Sequence, residues 1–530
     1  MREIYSYRRM PRRRKSLKRL LIILVALGAA FLAYKYLVPN SVERAINRLQ
    51  FNASVSEIEK QTIQEAIKNQ SLTYKGEISV SVKTSFSSTN SALVLSAYVP
   101  VTNFYSTKQA ITKTQLAQSS ILLPSSTNEP TKTGIATLLN VEKNKLVNLS
   151  TPIEKLSSDK VALIPVNQML SMVKLLKFDN AYYLDSFNKG AIFRQAVFSG
   201  ESAGALNGLK LNKLETKKST LKINMTGVTA LTRDMMKKLN SVKDAGYFSA
   251  KIGKFLANAD ITHVSNEVSF KPGCTYSTSV FCSRPAMIET LKDSGIDLVE
   301  LTGNHNNDTG RQYNTDTIKL YRKLGWKTFG GGLNEAEAAK PFVASKKQSK
   351  IAFLGYNYPD SPSGGAIATT TSAGANSFDF GKIKSDIASA KTNADFIVVN
   401  VQFWECYAYP DSYEEFPECD LPIGSQKSVF RKIVDLGADM VIGTQAHQPQ
   451  TYEAYKGKPI YYGLGNLYFE QTNWPGTERG IILTHYFVKG KLIQTKLTPT
   501  VYDEALQTRL MNSGETNYLL ERLKTAREAL

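Results

Sequence analysis

"IDLVELTGNHNNDTG", residues 296–310, sets an Asp and a short apolar run directly before a Gly-Asn-His turn, with a second Asp three residues beyond the His. An apolar run bounded by an acidic residue on one side and a glycine turn on the other reads as a buried strand, and the polar residues after it as the loop at the strand's end. The pattern recurs in "ADITHVSNEV" (259–268), "ADFIVVNVQF" (394–403) and "ADMVIGTQAH" (438–447). Asp260, Asp297, Asp395 and Asp439 open the four runs, and polar groups arrive six to eight positions later: Asn266 and Glu267, Asn304 and His305, Gln402, then Gln445 and His447. If the strands are parallel neighbours, these side chains gather along one sheet edge, where open α/β sheets bind ligands. Taken singly, each instance has a plainer explanation, since Asp before a strand is ordinary turn chemistry and Asn or Gln after one caps a helix. Four instances together, two of them including His in a chain with only four His, predict a site.

Around these runs, from Leu221 onward, helical segments alternate with short apolar strands, the pattern of an α/β domain with a largely parallel sheet. The preceding region is rich in Ser, Thr, Lys and Asn and carries alternating runs such as "GEISVSVKTSF" and "SALVLSAYVPV", which predict a mixed α/β domain. "NKLETKKST" (212–220) reads as a charged linker. A chain of 530 residues exceeds one hydrophobic core. The expected division is 1–19 basic cytoplasmic tail, 20–38 transmembrane anchor, 39–219 extracytoplasmic α/β domain of unknown role, 220–502 site-bearing domain and 503–530 C-terminal helical tail.

The formal charge of +20 resembles a nucleic-acid signal until it is located: nine Lys or Arg against Glu3 fall within residues 1–19. Behind them runs "LLIILVALGAAFLAY", then Lys35 and Pro39, an apolar stretch just long enough to cross a bilayer. Basic residues before the span place the N-terminus inside and everything after Pro39 outside, as a single-pass protein of the cell membrane. A cleaved signal peptide is the rival reading, with Ala29, Ala30 and Ala33 at the cleavage site. Either explains the charge without a nucleic-acid partner. The four cysteines suit an oxidising compartment, and the short intervening loops favour Cys274 with Cys282 and Cys406 with Cys419 among three connectivities, against the alternative of free thiols.

Residues 221–500 resemble the bacterial poly-γ-glutamate capsule synthesis proteins of the CapA type, relatives of the calcineurin-like metallophosphatases. The resemblance rests on "GNHNNDTG", on "GADMVIGTQAHQPQTYEAYKGKPIYYGLGNLYF" and on "SNEV". It implies a four-layer α/β sandwich of metallophosphatase type with its site at the strand ends. It also implies a membrane-bound role in the synthesis, export or anchoring of an anionic capsular or cell-envelope polymer, with a polymer synthase as a possible partner complex. The motifs depart from the family where metal ligands are usual. In "MTGVTALTR" Gly227 and Arg233 fit, but Val228 stands where an Asp is expected; Gln402 takes the place of a His; and in "GTQAHQPQ" His447 alone remains of several.

Two divalent cations about 3.5–4 Å apart need several carboxylate or imidazole ligands, and Val228 offers no lone pair. A two-metal phosphoesterase is therefore not expected. One divalent ion (Mn, Mg or Zn) held by Glu267, Asn304 and His447 is the first reading, with His305 as general acid and Asp308 orienting it. In that reading Arg233, Asn266, Gln402, Gln445 and Gln448 bind substrate. A metal-free polymer-binding or synthase-docking cleft using the same groups is the second. Trp404, Tyr407, Tyr409 and Trp474 flank the expected loops. "FGGGLN" has neither a Lys nor Walker spacing, so it is not a phosphate loop, and His263 and His485, inside apolar runs, are expected in the core.

Overall fold

The computed structural model describes residues 41–88, 93–210, 217–358, 365–403, 420–421, 424–471 and 475–528. The segment 20–38, the pair Cys406 and Cys419, and Trp404, Tyr407, Tyr409 and Trp474 lie outside these residues. Among the described residues no helix is long and apolar enough to cross a membrane.

Two compact units form, and neither is continuous in sequence. The first gathers 41–97, 126–143 and 192–210; the second gathers 98–125, 144–191 and 217–528. In the first unit the strand Ile78–Ser85 pairs in parallel with Leu49–Phe51 and antiparallel with Ile192–Ser199. The helix Glu57–Asn69 starts at a capping box in which Ser56 and Glu59 satisfy each other's backbone N–H groups.

The second unit holds two large sheets. One runs in the order Lys327–Phe329, Leu298–Glu300, Ile261–Asn266, Thr220–Met225, Arg479–Val488, Lys491–Tyr502, Thr508–Leu510; its first four strands are parallel. The other runs Phe342–Lys346, Ser349–Tyr358, Phe396–Phe403, Met440–Gly443, Lys458–Tyr461, Tyr452–Tyr455, with its four central strands parallel. Strand side chains alternate between faces, and burial on both faces explains the unbroken apolar runs. Thus Ile351 and Phe353 pack into a core shared with Leu221, Ile223, Leu298, Met440 and Leu483 of both sheets. Ala352 and Leu354, of opposite parity, pack under Ile383 and Ile387 of the helix Phe380–Lys391 and Phe430 and Ile433 of the helix Gln426–Asp435. On the far side of the first sheet, Val264, Val299 and Ile482 meet Met235, Leu291, Ile318 and Tyr321. The layers are therefore helices, sheet, sheet, helices. His263 and His485 are buried within them.

The four Asp-led strands are not neighbours in one sheet. Ile261–Asn266 and Leu298–Glu300 pair in the first sheet, Phe396–Phe403 and Met440–Gly443 in the second. Their polar ends converge because the two sheets face each other with these ends on the same side, so that Gln402 of one sheet reaches Glu267 of the other.

Candidate functional site

The Gly-Asn-His turn lies against the end of the neighbouring strand because residue 303 is glycine. A Cβ there would sit 2.6 Å from the Glu267 Cα and 2.9 Å from its Cγ. His305 Nδ1 is 2.8 Å from Asp308 Oδ2, which also accepts the Phe281 N–H at 2.9 Å. A carboxylate only accepts, so Nδ1 carries a proton. The Phe281 ring stands edge-on to His305, with centroids 4.6 Å apart, and its chain neighbour Cys282 is bonded to Cys274. That disulfide therefore ties down the loop that positions Asp308 and His305. The Arg233 guanidinium lies over the rings of Phe281 and Phe469, at 4.6 and 5.2 Å.

His447 approaches from the second sheet. Its Nδ1 is 3.0 Å from Asn466 Oδ1, and Asn466 Nδ2 donates to Thr477 O, which fixes the orientation of that amide. His447 therefore donates through Nδ1. Burial, with lesser contributions from the His305 and Arg233 charges and against the pull of Asn466, pushes its pKa down to about 3, so the imidazole is neutral at physiological pH.

At the centre, Gln402 Nε2 is 3.1 Å from Glu267 Oε1 and 3.1 Å from Asn304 Oδ1. Gln402 and Glu267 are both buried. Gln445 and Gln448, 3% and 0% exposed, have no hydrogen-bond partner for either carboxamide atom among the described residues. Asn266 does not join them, since its Nδ2 donates to Val268 O at 2.6 Å. Val228 packs with Ala230, Val268, Phe281 and Phe469 in a small apolar cluster.

A metal ion fits this arrangement poorly. Two oxygens of the donor set, on Glu267 and Asn304, are both taken up by one N–H₂ group. The Val228 position is closed by hydrocarbon. Among the described residues no three His, Cys, Asp or Glu side chains are grouped to hold an ion.

The sequence reading passed over Glu300. Its carboxylate, 0% exposed, accepts from Thr302 Oγ1 (2.5 Å), Thr444 Oγ1 (2.9 Å) and Asn400 Nδ2 (2.7 Å), and lies 3.2 Å from His263 Nε2. Thr226 N–H approaches His263 Nδ1 at 3.4 Å, which assigns the His proton to Nε2 and makes it a fourth donor to Glu300. The signal was present: an acid inside the apolar run "DLVEL" must be paired if the strand is buried.

The fold and the buried polar cluster define an α/β domain of facing sheets whose polar site lies at the strand ends around an Asn-His turn. Residues 222–471 match the family model described as "Bacterial capsule synthesis protein PGA_cap". The chain is 28% identical over 203 residues to the capsule biosynthesis protein CapA of Bacillus anthracis, covering 38% of this chain and 46% of that one. It is 25% identical over 218 residues to the PGA biosynthesis protein CapA of Bacillus subtilis (strain 168), covering 41% and 54%. The match thus spans about half the length of these relatives. Among solved structures, a phosphatase from Mycoplasma pneumoniae is similar at 14% identity over 53% of this chain and 94% of that one, with a TM-score of 0.32. The calcineurin-like phosphoesterase YfkN from Bacillus subtilis is similar at 12% identity over 58% and 99%, with a TM-score of 0.29.

Proposed function

We propose that the protein serves the synthesis, export or anchoring of an anionic capsular or cell-envelope polymer of poly-γ-glutamate type, and that its cleft grips the polymer. The family model matched by residues 222–471 and the names of the two Bacillus relatives support the polymer class. In this proposal the basic run and apolar segment 20–38 anchor the chain in the cell membrane with the later domains outside, beside a polymer synthase, and the sandwich is of metallophosphatase type.

The observation that carries binding is the pair Gln445 and Gln448. A buried carboxamide without a partner costs about 1–3 kcal/mol, so two of them flanking His447 in sequence are best explained by an amide- and carboxylate-bearing ligand that completes their hydrogen bonds. Replacing both with the near-isosteric Met tests this. The Gln445→Met/Gln448→Met protein should melt at a higher temperature than the wild type yet be held about tenfold less tightly on immobilised poly-γ-glutamate. Equal retention of both proteins, or no retention of the wild type, would rule the reading out.

One observation favours a second reading. The His305–Asp308 pair, at 2.8 Å, holds the imidazole by its Nδ1, the arrangement of an oriented acid–base histidine. Polymer cleavage that persists in chelator and disappears in His305→Gln would establish it over simple binding.

A further inference from the structure

We infer that Gln402 is a built-in substitute for a metal ion: its N–H₂ group occupies the point between Glu267 and Asn304 at which a cation shared by the two oxygens would sit, so the cleft is held together without a divalent ion. The inference does not depend on which polymer the cleft takes.

A carboxamide nitrogen carries two hydrogens, each with partial positive charge, and is one of few neutral groups able to serve two acceptors from a single atom. Gln402 Nε2 does so, at 3.1 Å from Glu267 Oε1 and 3.1 Å from Asn304 Oδ1. The orientation is dictated by its partners: turned over, the amide would point its oxygen at two other oxygens. Glu267 is 0% exposed, and a carboxylate so buried must be compensated by a cation or by hydrogen bonds.

Distances distinguish the two kinds of compensation. Zinc or magnesium binds oxygen at about 2.0–2.2 Å, so an ion at the Nε2 position would have to draw each oxygen inward by about 1 Å. The surrounding residues are arranged accordingly. Val228 closes its side with an apolar cluster. Thr444 gives its hydroxyl to Glu300, at 2.9 Å. One residue type at position 402 thus converts a place for an ion into an internal hydrogen-bonded bridge.

The experiment uses the full chain in detergent, stripped with chelator, with elemental analysis and melting temperature read in the presence of Mn²⁺, Mg²⁺, Zn²⁺ or Ca²⁺. The wild type should hold far less than one equivalent of metal and melt at the same temperature in chelator and in each ion. Gln402→Ala removes the donor shared by the Glu267 and Asn304 oxygens, so it should melt lower in chelator and recover part of the loss when an ion is added. Gln402→Glu, of unchanged size and with a second carboxylate, should show the larger recovery and keeps the test open if the alanine variant does not fold. A wild-type protein that carries a stoichiometric ion, or that is stabilised by one, overturns the inference. So does indifference to metal in both variants.

Discussion

His447 and His485 are neutral imidazoles deep in the fold. Burial pushes each down to about 3 from an ordinary value of 6.5, with smaller contributions from nearby cationic or imidazole groups. Between these values the unfolded chain takes up a proton at each position and the folded chain does not. The stability they confer is complete above about pH 7 and falls as pH drops, by up to about 1.4 kcal/mol per pH unit for each imidazole. Denaturation midpoints should therefore decline steeply from pH 6.5 to pH 4, and His485→Leu should flatten the decline by up to one proton's worth of slope. An unchanged slope in that variant would mean that position 485 is not neutral and buried in the folded state. The individual residues of the site were only partly legible in the sequence. His305 and Asp308 are three apart and their pairing follows from spacing, but Gln402 meets Glu267 and Asn304 across 135 and 98 residues. Gln402 therefore passed for one substrate-binding amide among several, and Glu300, with donors from three other strands, was read as part of an apolar run.

The four aspartates that punctuate the strands act at the scale of elements. Each forms a two-bond ring with one residue of the adjacent parallel strand. Asp260 pairs this way with Lys222, Asp297 with Thr262, Asp395 with Lys350 and Asp439 with Ile397: in every case the Asp N–H donates to the partner carbonyl and the Asp Oδ2 accepts the partner N–H at 2.8–3.0 Å. The plain turn-chemistry explanation is the one the structure supports for these residues, with the addition that they fix strand register. Strand starts were legible for that reason, whereas the assignment of the strands to two sheets depended on pairing that no local pattern encodes. Because the site is built from strand ends, register at one end sets geometry at the other. Asp439→Ala removes a charge-assisted hydrogen bond and the Lys458 ion pair, and should destabilise the fold by about 1–3 kcal/mol in urea titrations. Asp439→Asn keeps the acceptor oxygen and should recover most of that loss. Equal losses in both would assign the effect to charge and not to the ring.

At the scale of the whole molecule, the change of texture at Leu221 marks the start of the second unit's main run, yet residues 98–125 and 144–191 belong to the same unit. Most of the contacts responsible span about 300 residues of sequence and so leave no local trace. Asp185 binds Lys222, Lys496 and Tyr486, and the Gln494 carboxamide bonds to the backbone of Val173 and Leu175. Discontinuity also governs the first unit, which assembles from three separated passages of chain. Arg194 touches all three: its Nε and Nη2 grip Glu59 at 2.8 and 2.7 Å, Nη2 also donates to Ser54 O, and Nη1 donates to Pro130 O. Arg194 and Glu59 are 1% and 6% exposed at their side chains. Two charges so buried are sustained by each other, and removing one leaves the other uncompensated, at a cost of about 3–5 kcal/mol. Arg194→Met and Glu59→Met should each lower the melting of the first unit by that amount, read by protease cleavage within 41–97, while cleavage within 217–528 still follows the wild-type curve. The double variant Arg194→Met/Glu59→Met removes both charges and should be closer to the wild type than either single variant. Additive losses in the double variant would show that the two side chains act independently, and that the three passages are held together by apolar packing alone.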